Sequence, residues 1–147
     1  MKKLTQKPHF VFWILIPVLL LIGSIDSNET IAINIYDTYF VITMLNLGVL
    51  LSIICGIIGL GYWVVFILRK KLINWLTILH ATVTIIGFLT ILLIPLLSPE
   101  LNQNDPSLNL EYYFDAQVIT TLSVLVVIAI QLLYPINIIA ALVKKTN

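Results

Sequence analysis

Four long apolar stretches constrain this chain more than any other feature: Phe10 to Ile25, Phe40 to Leu68, Leu72 to Leu97 and Gln117 to Val143. Each is close to the twenty or so residues that cross the hydrocarbon core of a bilayer as a helix. Backbone groups inside lipid have no water to bond to, so only helices and closed barrels span it. The stretches lack the ten-residue segments of alternating hydrophobicity that mark barrel strands. The sequence therefore predicts an all-α fold, an integral membrane four-helix bundle in one domain covering residues 1–147. Little chain is left for a soluble domain, and a composition that is 60% hydrophobic and only 10% charged lies far from that of water-soluble domains. The first stretch is short and follows three lysines, as in a secretory signal peptide. It opens with bulky Phe10, Phe12 and Trp13 and ends without a small-x-small cleavage site, so an uncleaved first helix is expected.

Charge gives the orientation. Lys2, Lys3 and Lys7 precede the first stretch, Arg69, Lys70 and Lys71 separate the second from the third, and Lys144 and Lys145 follow the fourth. Every acid falls in the other two connections, Asp26, Glu29 and Asp37 in one and Glu100, Asp105, Glu111 and Asp115 in the other. The positive-inside rule then places both termini and the short basic turn in the cytoplasm. Trp13, Trp63 and Trp75 fall near the inner interface and Tyr36, Tyr39, Tyr112 and Tyr113 near the outer one, as amphipathic rings prefer. Basic clusters this small, placed where membrane anchoring explains them, exclude a nucleic-acid partner. A single cysteine, Cys55, provides neither a disulfide framework nor a thiolate metal cluster.

The turn at Arg69 to Lys71 is short enough to make the second and third helices an antiparallel hairpin. The outer connections, Ser24 to Tyr39 and Ser98 to Ala116, read as loops, the second with Pro99, Pro106 and several Asn. In the second helix Gly48, Ser52 and Gly56 recur every four residues, with Cys55 and Gly59 in a parallel row. Such ladders let helix backbones approach closely in lipid, against a helix of the same chain in preference to a second copy. Asn46, Gln131 and Asn137 read as interhelical hydrogen-bonding residues, and Pro95 and Pro135 as sites where helices kink or end. His9 is an interfacial residue. His80 is the one ionisable side chain deep in a span. It is read as a neutral histidine bonded to a neighbouring helix in preference to a ligand or proton carrier. The lack of other buried charges weakens pump, channel and transporter functions; a wet pore would have to be lined by Thr82, Thr84, Thr120, Thr121 and Gln131. No nucleophile with a base, no carboxylate pair, no phosphate loop and no metal-ligand spacing is present, so no catalytic or metal site is expected.

The order of residues adds a resemblance. Ile33 to Ile42, INIYDTYFVI, resembles the stretch entering the tenth helix of subunit I of the heme-copper (cytochrome c and quinol) oxidases, where a His-Asp-Thr-Tyr run precedes the helix. The third helix, with His80, Gly87, Phe88, Thr90 and Pro95, is similar to that subunit's eleventh. The fourth, from Ile119 to Asn137 with Thr121, Gln131, Leu132 and Leu133 in register, is similar to its twelfth. The first helix would stand for the ninth. The resemblance covers nearly the whole of this chain but only the last third of the family protein.

The departures decide what that resemblance implies. Met44 and Asn46 stand where the family's two heme-ligating histidines would be. Tyr36 replaces the histidine of the family's magnesium-binding pair and leaves Asp37 alone, and the arginine pair that meets the heme propionates is absent from Ser98 to Pro106. The copper ligands belong to helices this chain lacks. The resemblance thus implies a non-enzymatic relative: an accessory or scaffold subunit of a respiratory-chain membrane complex, carrying no cofactor. Its partners would be the bilayer and other membrane subunits or copies of itself, a trimer included, in a bacterial inner membrane. The alternative is an electron-transfer subunit binding heme or quinone at a site shared with a partner chain, with Met44 and His80 as candidate ligands. Met44 is expected near the outer face and His80 near the inner one, roughly 20 Å apart by helix rise, too far for one iron within a single chain.

Overall fold

A computed structural model of the chain describes residues 7–35, 37–97 and 106–144. They form α1 (Pro8–Ile25), a hairpin of β1 (Thr30–Ile35) and β2 (Thr38–Thr43), then α2 (Met44–Ile67), α3 (Asn74–Leu97), α4 (Pro106–Gln131) and α5 (Leu133–Val143). Four helical runs are long and apolar enough to cross a membrane: Pro8–Ile25, Met44–Ile67, Asn74–Leu97 and Ala116–Val143, of 18, 24, 24 and 28 residues. Their outward surface is apolar, with Ile14, Leu21, Ile57, Ile86, Ile128 and Ile139 all exposed. Water-soluble domains rarely present so continuous an apolar surface.

The hairpin corrects the sequence-based boundaries. Hydropathy places residues 40–43 in the second helix and Ser24 to Tyr39 in a loop, but Thr30 pairs with Thr43 and Ile35 with Thr38 in an antiparallel register. Both strands are rich in Ile, Val, Thr, Tyr and Phe, whose branched or aromatic side chains suit a pleated strand. Ile31 of β1 is buried, and Met44 N–H donates to the Glu29 carbonyl at 2.9 Å, tying the hairpin's open end to the start of α2. Thr43 caps α2, its hydroxyl accepting from the Asn46 N–H at 3.4 Å. Tyr36 lies outside the described residues, as do Pro99, Glu100 and Asp105, and nothing is described of the side chains of Tyr39, Glu111, Tyr112, Tyr113 and Asp115.

Proline explains the other boundary. The fourth apolar run is not one helix but two, interrupted at Leu132. Pro135 has no N–H for the carbonyl four residues back, and that residue is Gln131, the last of α4. Pro95, by contrast, is accommodated inside the last turn of α3, and Pro17 inside α1.

The basic turn ends α2 with a left-handed residue. Arg69 has φ 53°, its N–H donates to the Phe66 carbonyl and the Lys70 N–H to the Val65 carbonyl. These paired bonds satisfy carbonyls a helix end otherwise leaves bare, and glycine is the usual occupant of Arg69's position. Beyond the turn, Lys70 Nζ donates to the Lys144 carbonyl at 3.0 Å, and Lys7 Nζ stands 5.6 Å from the Phe66 ring centroid. The three basic segments therefore meet at one end of the bundle, and the hairpin with Asp26, Glu29 and Asp37 lies at the other.

Along its length α1 packs on α2. Gly23 and Gly48 face each other so closely that a Cβ on Gly48 would stand 2.9 Å from the Leu19 carbonyl oxygen and 3.2 Å from the Gly23 Cα. Ser52 Oγ donates to the Ile16 carbonyl at 3.2 Å, and Gly59 makes room for the Trp13 indole. The small-residue ladder thus meets a helix of the same chain. Its Gly56 rung is looser, touching only Ile16 at 4.0 Å.

Candidate functional site

All five helices converge on one buried cluster near the basic end. His80, fully buried on α3, lies between Tyr62 of α2 and Gln131 of α4. Its Nδ1 is 2.9 Å from the Tyr62 hydroxyl and its Nε2 is 3.0 Å from Gln131 Oε1. An amide oxygen only accepts, so Nε2 carries the proton and Nδ1 accepts from the Tyr62 hydroxyl. Gln131 Nε2 passes the chain on to Thr84 Oγ1 at 3.2 Å. Rings close around it: Tyr134 stacks on His80 at 5.6 Å, Phe12 of α1 stacks on Tyr62 at 5.8 Å, and Tyr134 meets Tyr62 edge-on at 5.3 Å.

A second polar group sits one turn closer to the basic end. Asn137 Oδ1 accepts from the Ile73 N–H at 2.9 Å, and its Nδ2 donates to Thr77 Oγ1 at 2.8 Å. Thr77 Oγ1 in turn donates to the Ile73 carbonyl at 3.1 Å, closing a ring. Ile73 immediately precedes α3, where the N–H groups have no intrahelical partner, so Asn137 caps one helix from another. Tyr134 Oη donates to the Ile57 carbonyl at 3.1 Å, a reach that requires Gly61, since a Cβ there would collide with the phenol.

Of the residues singled out in the sequence, the cluster unites His80, Gln131 and Asn137. The sequence does not single out Tyr62, Thr77, Tyr134 and Gly61, and it offers Thr84 only as a pore candidate. Tyrosine in an apolar run reads as another hydrophobic residue, although positions 62 and 80 lie nine residues either side of position 71, which puts them at the same depth in a helical hairpin. Asn46 differs from its expected role: it is exposed on the first turn of α2, not between helices. Of the five pore candidates only Thr84 and Gln131 come together, and they line no shared channel with Thr82 or Thr120. Thr82 faces outward, Thr84 bonds Gln131, and Thr120 is buried on its own helix with its hydroxyl on the Ala116 carbonyl.

A heme does not fit these residues. Both His80 nitrogens are taken by the chain's own side chains, whereas an axial ligand needs one free lone pair. Met44 is buried beside Gly23 at the opposite end. Eighteen residues of α2 separate it from Tyr62, His80's partner, about 27 Å at helical rise. The notion of Met44 and His80 sharing one iron fails within the chain.

No protein-family model matches the chain, no characterised protein matches its sequence and no solved structure matches its fold.

Proposed function

We propose that the chain spans a bacterial inner (plasma) membrane four times, with both termini cytoplasmic, and serves as a non-catalytic accessory or scaffold subunit of a larger membrane assembly. Four apolar helices of spanning length support the membrane placement. The gathering of Lys7, Arg69, Lys70, Lys71 and Lys144 at one end supports the orientation by the positive-inside rule. The observation that carries the non-catalytic role is the internal use of both His80 ring nitrogens, by Tyr62 and Gln131. The one imidazole deep in the bundle is thereby a fastener between α2, α3 and α4, with no valence for metal or substrate. The resemblance to oxidase subunit I points the same way, since Met44 and Asn46 stand where that family's ligating imidazoles would be.

Gentle affinity purification of the full chain, with mass spectrometry and a visible absorption spectrum of the same sample, tests this. The expected result is a co-purifying membrane subunit or a homo-oligomer, and no Soret band. A lone monomer would remove the scaffold role. A Soret band would instead establish the heme-carrying subunit, with a ligand from a partner chain.

A further inference from the structure

The basic end of the bundle holds a corner that the helix-packing role leaves unexplained. Lys7 Nζ stands 5.8 Å from the Phe10 ring centroid and 5.6 Å from that of Phe66, so its ammonium bridges the start of α1 and the end of α2. The His9 imidazole lies between the same two phenyl rings, at 4.6 Å from Phe10 and 5.1 Å from Phe66, with Trp13 edge-on at 5.4 Å. His9 is 2% exposed, and among the described residues its Nδ1 is the one buried side-chain nitrogen or oxygen without a hydrogen-bond partner. A buried polar atom left in that state is costly, and native structures rarely keep one without a reason. Arg69 follows Phe66 by less than a turn, and no Asp or Glu among the described residues lies at this end.

We propose that this Lys7–His9–Phe66 corner binds the headgroup of an anionic phospholipid. Held against two aromatic faces instead of a carboxylate, the Lys7 ammonium is free to meet a phosphodiester. Once the half-exposed Phe10 ring turns aside, the headgroup supplies the hydrogen-bond partner that His9 Nδ1 lacks, a hydroxyl to one neutral tautomer or a phosphate oxygen to the other. Phe10, Trp13 and Trp63, the last with its ring 6.1 Å from that of Trp13, offer the apolar flank for the glycerol and upper acyl chain. Charge complementarity selects the lipid: basic side chains on a bilayer surface favour anionic over zwitterionic lipids. The proposal rests on the chain being membrane-spanning, though not on its role as a subunit.

Trp13 and Trp63 report on the site directly. The full chain carrying Trp75→Phe is reconstituted into vesicles of phosphatidylcholine mixed with phosphatidylglycerol, with bromine on the acyl chains of one lipid or the other. Tryptophan quenching then gives the relative affinity. Phosphatidylglycerol is expected to be preferred by about five-fold or more, the gain of one basic contact. Lys7→Gln should lower that preference about five-fold, His9→Phe should lower it while keeping the packed ring, and Lys71→Gln should change it by less than about two-fold. Equal quenching by the two lipids overturns the proposal and leaves the membrane reading intact. An equal loss in Lys7→Gln and Lys71→Gln overturns it in favour of diffuse attraction. Relief of quenching by inorganic phosphate, beyond that by chloride at equal ionic strength, overturns the lipid as occupant. A chain that cannot be reconstituted at all overturns both readings.

Discussion

The α1/α2 seam and the junction of α3 with α4 and α5 solve the same problem by opposite means. In the bilayer proposed for this chain, burying apolar side chains would give helices no reason to associate, because the acyl chains outside are equally apolar. The first seam answers with close approach: Gly23 on Gly48, Ser52 on the Ile16 carbonyl and Gly59 under Trp13 bring two backbones into contact. The second answers with polar side chains: His80 to Gln131, Gln131 to Thr84, and Asn137 to both Thr77 and Ile73. Shape at the Gly23/Gly48 crossing of the first seam tolerates no added atoms, whereas hydrogen bonds at the second tolerate loss at a moderate cost. Mutations at the two should differ in size and in kind.

The largest effect is expected from Gly48→Leu. Its Cβ would meet backbone atoms of α1 that no rotamer change can clear, and overpacking of this sort costs about 3 kcal/mol or more. Denaturant titration of the detergent-solubilised protein should show the loss, with Gly56→Leu far milder because only Ile16 approaches that rung. If the two variants were equally stable, the backbone contact would not govern the seam.

His80→Leu comes next, at about 2 kcal/mol, since it leaves the buried Tyr62 hydroxyl and the half-buried Gln131 amide oxygen without their partner. Gln131→Leu is expected to cost about 1 kcal/mol, within the range of polar contacts between membrane helices. The His80→Leu/Gln131→Leu double variant should then lose less than the sum, because the second change removes a group the first had already stranded. Strict additivity in that cycle would separate two side chains placed 3.0 Å apart.

The smallest effect is at Arg69, in the left-handed position that ends α2. Arg69→Gly relieves the Cβ strain and should raise stability by up to about 1 kcal/mol. A decrease would mean that the arginine side chain contributes more at the basic end than its backbone costs.

Much of the architecture was legible because hydropathy and charge act over whole segments. The four apolar helices of spanning length, the basic turn and the small-residue face of α2 follow from patterns in which each residue repeats its neighbour's message. Local exceptions were harder. Phe40 to Thr43 is as apolar as the helix that follows, so the end of β2 merged with α2 in the sequence; the β-branched residues of Thr30 to Thr43 were the overlooked signal. The break at Leu132 was foreshadowed by Pro135, but whether a proline kinks a helix or ends it depends on its surroundings, and Pro95 shows the other outcome. In the cluster, His80, Gln131 and Asn137 stand out singly, because each is polar within an apolar run. Which partners they take depends on the rotation of each helix about its axis, a quantity set by packing and absent from the order of residues.

Everything functional turns on whether the His80 imidazole is occupied by its own chain. Nitrogen-15 NMR of the histidine-labelled protein, with the signal assigned through His80→Leu, reads this at both ring atoms. A neutral ring protonated at Nε2, with Nδ1 shifted as an acceptor from the Tyr62 hydroxyl, is the predicted spectrum. A metal-bound or paramagnetically broadened His80, or a ring exchanging freely between its two neutral forms, would contradict it.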